Sequence, residues 1–451
     1  MTTGAEPGSG FAWPDLLCDP VRSLPDHARL WVALSGGLDS VLLLHLVTAC
    51  HKNRVPVGAI HVNHQLQPNA GATEVFCRQQ CQALGIPLRV ETVTVDRDRS
   101  GAGVGGIEEA ARKARYRAFE ALVQADDLLL MAHHADDQAE TVLFRLIRGS
   151  GVAGLAGMPR FRSLGQGHLV RPLLALERAE LEYWARKASL TWVDDPSNDD
   201  QGYDRNYLRH AILPGLRARW PGLIQRLRHS AGACGESQQL NDRLAALQWQ
   251  SVADGQGRVS VTGLRALSLP EQKNLVRWWA RERGYPAPVV ADWQQVMTDL
   301  LEAGVDREPE LRADGFSLRR FQGHVYLVST QSALPGEPVE LLPGSPVSWG
   351  AWQLQLEPVA NPESARPPIR VSTRRGGERL RTHPDRSSKT LKNWLQEQSI
   401  PPWERARLPL VFAGSEADGE LIAVADLWCS DRYSGSAPAA GWRLIVTREC
   451  D

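Results

Sequence analysis

Six residues, Ser35-Gly36-Gly37-Leu38-Asp39-Ser40, stand between two apolar runs. Leu30-Trp31-Val32-Ala33-Leu34 reads as a buried strand of a parallel sheet, and Val41 to Val47 as a largely buried helix. A strand, a Ser-Gly-Gly turn and a helix start make an anion site. The glycines let the backbone close on a phosphate, while free N–H groups and the helix dipole attract its charge. The Lys-Ser/Thr ending of a Walker A loop is absent, so nothing here reaches for β- and γ-phosphates in kinase fashion. Asp39, a carboxylate beside the expected phosphates, makes chemical sense if Mg²⁺ bridges the two.

Further strands are expected at 57–62, 88–93 and 128–132, with helices at 70–84 and 107–125 between them. Strands alternating with helices imply parallel crossovers and a doubly wound α/β sheet. Ligands of such sheets sit beyond the carboxyl ends of the strands. Ser35, His61 and His133 each fall at such an end, which predicts one shared pocket. After the strand at 128–132 comes His133-His134-Ala135-Asp136-Asp137-Gln138-Ala139-Glu140-Thr141. Asp136 or Asp137 is expected to cap the following helix. Asp137 and Glu140, three apart, share a helix face on which they can hold a metal or a cationic substrate. Arg112 and Arg115 share another face, and one of them could take a phosphate or carboxylate bidentately.

These residues together resemble the tRNA(Ile)-lysidine synthetases. The resemblance rests on Ser-Gly-Gly-x-Asp-Ser, His61-x-x-His64, Ala111-Arg112-x-x-Arg115-Tyr116 and the 133–141 run. It continues through Arg148-Gly149-Ser150-Gly151, Arg171-Pro172-Leu173-Leu174, Asp195-Pro196-Ser197-Asn198 and Arg205-Asn206-Tyr207-Leu208-Arg209. It returns in Leu391-Lys392-x-Trp394-Leu395 and Ile400-Pro401-Pro402-Trp403-x-Arg405. The first loop is shared by all N-type ATP pyrophosphatases, whereas the 133–155 run is far more specific.

The resemblance implies an adenine nucleotide alpha hydrolase-like catalytic domain and a ligase that forms a carbon–nitrogen bond. Cytidine at the first anticodon position of an isoleucine tRNA with a CAU anticodon would become lysidine, in two steps. The cytosine C2 oxygen attacks the α-phosphate of ATP and releases pyrophosphate. The ε-amine of free L-lysine then attacks C2 and expels AMP. The product reads AUA in place of AUG and carries isoleucine identity in place of methionine. On this reading Ser35, Gly36, Gly37, Leu38, Asp39, Ser40 and His61 bind ATP, and Asp39 with Asp137 holds Mg²⁺. Arg112, Asp137 and Glu140 bind lysine, and Asp39, Arg112, His133, Asp137 and Glu140 form the catalytic set.

The remaining chain divides by composition. The catalytic domain is expected over 1–218, a mostly helical tRNA-binding middle domain over 219–330 and a Pro-rich linker over 331–365. A small basic α+β domain follows over 366–451. Residues 205–229 carry six arginines and no acid, a plausible phosphate track. Residues 366–407 carry eleven basic residues against four acids, a local charge of +7. Arg205, Asn206, Arg209, Lys389, Lys392, Arg405 and Arg407 are the expected tRNA contacts. Trp278 and Trp279 are read as core rather than as a base-stacking platform. A strand pair is expected at Val347 to Leu356 despite the surrounding prolines.

Bulk composition narrows the alternatives. The formal net charge of −1 means that RNA contacts must come from local patches. Seven scattered cysteines without a Cys-x-x-Cys argue against a 2-thiolating relative, which would need an iron–sulfur cluster or a persulfide pair. A small-molecule amidating ligase would bring a glutaminase partner rather than two basic appendages. The intact Asp39, Asp137 and Glu140 set argues against a non-catalytic RNA-binding protein. No long apolar run or signal peptide is seen, so the expected location is cytoplasmic without membrane contact. The oligomeric state stays open, a homodimer included.

Overall fold

The computed structural model describes residues 11–51, 54–65, 70–93, 104–194, 200–304, 307, 309–330, 337–359, 368–382, 387–414, 419–435 and 438–448. The Asp195-Pro196-Ser197-Asn198 motif lies outside them. The chain forms two compact units that meet within one long helix, at residues 241 and 242.

The first unit carries strands β1 (Arg29–Ala33), β2 (Val57–Asn63), β3 (Leu88–Thr92), β4 (Asp127–Leu130), β5 (Phe161–Leu164) and β6 (Gly167–Val170). Its helices are α1 (Asp15–Arg22), α2 (Leu38–His51), α3 (Ala70–Leu84), α4 (Val104–Leu122), α5 (Ala135–Ile147), α6 (Val152–Leu155), α7 (Arg178–Lys187), α8 (Asp204–Tyr207), α9 (Leu213–Arg219) and the first part of the long α10 (Leu223–Val252). The strands lie in the order β3-β2-β1-β4-β6-β5. All neighbours are parallel except the β5–β6 edge hairpin, which sequence reading missed.

Period-two burial explains why β4 forms a strand. Leu128 and Leu130 join the core under α2, while Leu129 and Met131 join a second core with Phe119 and Leu164 on the other face. Helix α2 is apolar nearly all round, and Leu42, Leu43, Leu44 and Leu46 have no exposure. The order of the sheet reverses between β1 and β4. The turns leaving these two strands therefore open one crevice, as expected of a doubly wound sheet.

In the second unit α11 (Val261–Arg265), α12 (Leu269–Glu282) and α13 (Trp293–Glu302) pack on a small sheet. Its strands are β7 (Val259–Ser260), β8 (Glu310–Arg312), β9 (Phe316–Phe321) and β10 (His324–Ser329), in the order β7-β10-β9-β8. Trp279 is 2% exposed and belongs to this core, as its sequence context suggested.

The C-terminal part holds β11 (Val339–Glu340), β12 (Val347–Trp349), β13 (Trp352–Pro358), β14 (Ile369–Ser372), β15 (Arg379–Leu380), β16 (Lys389–Thr390), β17 (Leu410–Ala413), β18 (Glu420–Val424), β19 (Trp428–Cys429) and β20 (Trp442–Arg448). Two short helices, α14 (Leu391–Glu397) and α15 (Pro402–Arg405), accompany them. Strands β12 and β13 are the pair expected at 347–356. Residues 337–359 of the Pro-rich stretch therefore carry strands. β13 pairs with β20 along seven residues, and β11 pairs with β14. Alternating Trp352, Leu354 and Leu356 bury one face of β13 in the C-terminal core, which outweighs the flanking prolines. No described helix is long and apolar enough to cross a membrane.

Candidate active site

The turn between β1 and α2 is closed by its own serines. Ser35 N–H donates to Ser40 Oγ at 3.1 Å, the two hydroxyl oxygens lie 3.0 Å apart, and Ser40 Oγ donates to the Gly37 carbonyl at 2.9 Å. Gly36 adopts φ +88°, and its carbonyl accepts from Val193 N–H. A Cβ on Gly36 would lie 3.0 Å from Thr73 Cγ2 and 3.3 Å from Cys77 Sγ. Gly36→Ala should thus lower the unfolding free energy by about 1–2 kcal/mol, since the left-handed backbone disfavours an L side chain. A urea titration of the variant against the parent checks it.

The crevice measures about 920 Å³. Its lining collects Ser35, Gly37, Leu38, Asp39, Ser40, His61, His133, Asp137, Asn206 and Arg209 from the expected site residues. Gly36, Arg112, Glu140 and Arg205 are not in the lining. Gly36 serves the turn through its backbone, with positive φ and its carbonyl held by Val193 N–H. Arg112 is 56% exposed on α4, 4.0 Å from Glu109 and stacked over the Tyr116 ring. Its helix-mate Arg115 reaches the crevice and donates to His64 Nε2 at 3.2 Å.

Asp39 sits in the first turn of α2 with Oδ1 buried and without a hydrogen-bond partner. Burial pushes its carboxyl up, and the nearest opposing influence is His134. A desolvated carboxylate with an idle oxygen is suited to a cation. Asp137 is less idle, because Oδ2 accepts from His134 N–H at 3.0 Å and Oδ1 from Arg209 Nη2 at 3.2 Å. Burial pushes Asp137 up, but His134, His133 and Arg205 overcome it and hold the carboxyl below its usual range. Mg²⁺ commonly takes one or two carboxylates and completes its shell with substrate phosphates and water. Among the described residues no group of three metal-ligating side chains gathers, so a fully protein-built cage is not what this site offers.

The cap of α5 departs from expectation. His134 is the capping residue, and Asp137 N–H donates to its Nδ1 in a reciprocal capping box. The imidazole proton is then on Nε2, which faces Asp137 Oδ2 at 3.4 Å and Asp39 Oδ2 at 3.7 Å. Asp136 is buried and instead accepts from Arg178 N–H at 2.8 Å and Arg217 Nη1 at 2.6 Å.

His133 accepts from Arg171 Nε at 3.2 Å through Nδ1, leaving Nε2–H as a donor. Burial first, then Arg171 and Arg205, push its pKa down to about 3. The folded imidazole is neutral at physiological pH and poorly suited to shuttling protons, but able to donate to an oxygen. The unfolded histidine takes a proton below pH 6.5, so this group's contribution is intact above 6.5 and lost as the pH falls toward 3. His133→Asn should reduce the stability lost between pH 7 and pH 5 by roughly 2 kcal/mol, read from urea midpoints.

Glu140 is 1% exposed, and its carboxylate is fully engaged by arginines. Arg209 donates to Oε1 at 2.6 Å and to Oε2 at 2.9 Å, and Arg205 donates to Oε2 at 3.2 Å. Arg205 and Arg209, expected on a tRNA phosphate track, both turn inward onto α5 in this arrangement. Their position follows from α8 and a wide five-residue turn at Leu208–Ile212, which lay the segment against α5. Glu140 likewise does not present a vacant carboxylate to a lysine ammonium in this arrangement. Asn206 lines the crevice and donates to the Asp200 carbonyl at 2.9 Å.

The expected tRNA contacts of the second unit differ among themselves. Lys392 is exposed on α14, while Lys389 pairs with Glu397. Arg405 donates to the Ile400 carbonyl at 2.8 Å and braces its own turn, and Arg407 is half-buried. Sequence reading gave no role to His134, Arg171 or Arg178. His134 had a signal in the acid three residues after it. Arg171 stood only within the Arg171-Pro172-Leu173-Leu174 motif, and Arg178 had no signal, since only the fold brings them beside His133 and Asp39.

Family models fit the three regions. A PP-loop domain model matches residues 16–216, a TilS substrate binding domain model matches 260–326, and a TilS substrate C-terminal domain model matches 369–446. The U34-tRNA thiolase NcsA from Methanococcus maripaludis, a solved structure, is 20% identical and covers 48% of this chain and 77% of its own, with a TM-score of 0.40. The tRNA(Ile)-lysidine synthase of Pseudomonas fluorescens is 40% identical over 431 residues, 92% of this chain and 91% of that protein. The one of Alkalilimnicola ehrlichii is 39% identical over 446 residues, 96% of each chain. With such identity sustained across nearly the whole of both proteins, and a PP-loop crevice to match, the chain belongs to the tRNA(Ile)-lysidine synthase family.

Proposed function

We propose that this chain ligates free L-lysine to C2 of the first anticodon cytidine of an isoleucine tRNA with a CAU anticodon, at the expense of ATP. The cytosine C2 oxygen bonds to the α-phosphorus and pyrophosphate departs. The lysine ε-amine then adds to C2, and the former C2 oxygen leaves within AMP. The observation that carries the reading is the meeting of the Ser-Gly-Gly turn, the unpartnered Asp39 oxygen and His133 in one crevice. Backbone N–H groups near Gly37 and the Nε2–H of His133 suit the charge that develops on phosphate oxygens. Asp39, with Asp137 as its neighbour, would hold Mg²⁺, which neutralises the departing pyrophosphate. The low pKa of Asp137 suits it to hold an ammonium rather than to act as a strong base.

Tests need purified protein, ATP, Mg²⁺, radiolabelled lysine and an unmodified CAU isoleucine tRNA transcript. ATP-dependent labelling that disappears when the first anticodon base becomes uridine is the expected result. Pyrophosphate release without labelling would retain adenylation and discard lysine as the nucleophile. Of the basic residues expected to touch tRNA, Lys392 is the exposed one, and Lys392→Glu should raise the tRNA KM. The slope of log KM against log salt should fall by about 1. An unchanged slope would mean that Lys392 faces only solvent.

A further inference from the structure

The Pro401-Pro402-Trp403 turn singled out by sequence has no part in the chemistry above. Its tryptophan crosses to the middle domain. The Trp403 ring meets Tyr326 edge-on at 5.3 Å and Phe321 at 6.1 Å, both from the β9–β10 hairpin. Arg319, also on β9, lays its guanidinium 5.6 Å from the centre of the Trp403 ring. Arg258 continues the stack, 5.7 Å from the Tyr326 ring and donating to its hydroxyl at 3.3 Å. Arg405 fixes the turn from the other side through the Ile400 carbonyl. Edge-to-face rings and a guanidinium over an indole are directional contacts, so they set an angle as well as a distance.

We infer that Trp403 is a positioning residue, an aromatic clasp that holds the C-terminal domain on the β9–β10 hairpin so that both domains meet one tRNA as a single body. The inference rests on the proposed tRNA substrate. A rigid pair presents its two surfaces already oriented, whereas an unclasped pair must be ordered by the RNA at each encounter. None of the clasp residues lines the crevice, so the loss should fall on tRNA capture and spare the chemical steps.

The experiment compares the full-length protein with Trp403→Ala, Trp403→Phe and Tyr326→Leu. Trp403→Ala should raise the tRNA KM about tenfold, with kcat at saturating tRNA and the KM values for ATP and lysine within about twofold. Trp403→Phe, which keeps an edge-to-face ring, should recover most of the loss. Calorimetry should resolve an additional unfolding transition in Trp403→Ala. A tRNA KM within twofold of the parent, or a kcat that falls in step with it, overturns the positioning role. Should Trp403→Ala not fold, Tyr326→Leu breaks the same contact from the middle domain and must show the same split between KM and kcat. A parent protein that ligates no lysine would sink the functional reading instead, and the calorimetric arm would still decide whether the clasp couples the domains.

Discussion

Asp39→Asn is expected to lower tRNA-dependent pyrophosphate release by roughly 10³-fold or more, the scale of removing a group that stabilises developing charge on a transferring phosphoryl. Asp39 Oδ1 is buried and unpartnered, and the burial that raises the carboxyl's pKa disfavours its charge in the ligand-free protein. Asparagine keeps the shape and one acceptor oxygen but removes the charge. Folding stability should therefore stay equal or rise while turnover collapses, a pairing typical of residues kept for function at the expense of stability. Affinity for tRNA, measured by filter binding, should stay within about twofold, since Asp39 faces the phosphate turn. An Asp39→Asn protein that still releases pyrophosphate at the parent rate would remove the metal assignment.

How far this site could be read in the sequence depends on the distance over which each contact acts. The phosphate turn was legible because glycine freedom, a serine pair and a helix start lie within six residues. Period-two and helical patterns gave the parallel strands almost to the residue, as with β2 at Val57–Asn63 and α3 at Ala70–Leu84. Side-chain pairings closing over 38 or more residues were not legible. Arg171 on His133 and Arg209 on Glu140 depend on how β6 and the α8–α9 segment return to α5, and no local pattern announces that. The basic run at 205–229 is partly turned inward, which was illegible for the same reason. Its charge was plain, but Arg205, Arg209 and Arg217 spend it on carboxylates of α5 that lie 65 to 81 residues earlier.

That inward turn of the arginines makes Glu140 the second decisive position. Glu140→Ala should reduce the unfolding free energy by about 3 kcal/mol, the lower end of what removing one partner of a buried ion cluster costs. Glu140 is 1% exposed and takes three donated bonds, two from Arg209 and one from Arg205. Without it, among the described residues the guanidinium of Arg209 keeps a hydrogen bond to Asp137, and that of Arg205 one to the Thr141 hydroxyl. The loss stays at the lower end because the two arginine side chains are 24% and 32% exposed and can regain water. The double variant Glu140→Ala with Arg209→Met separates the pair energy from the volume lost. If the cluster is structural, the second substitution on the alanine background should cost much less than Arg209→Met alone, and urea midpoints of the four proteins give the coupling. A Glu140→Ala protein within about 1 kcal/mol of the parent would mean that the arginines swing freely into solvent. Glu140 would then be free to serve as the ammonium site that its place beside Asp137 first suggested.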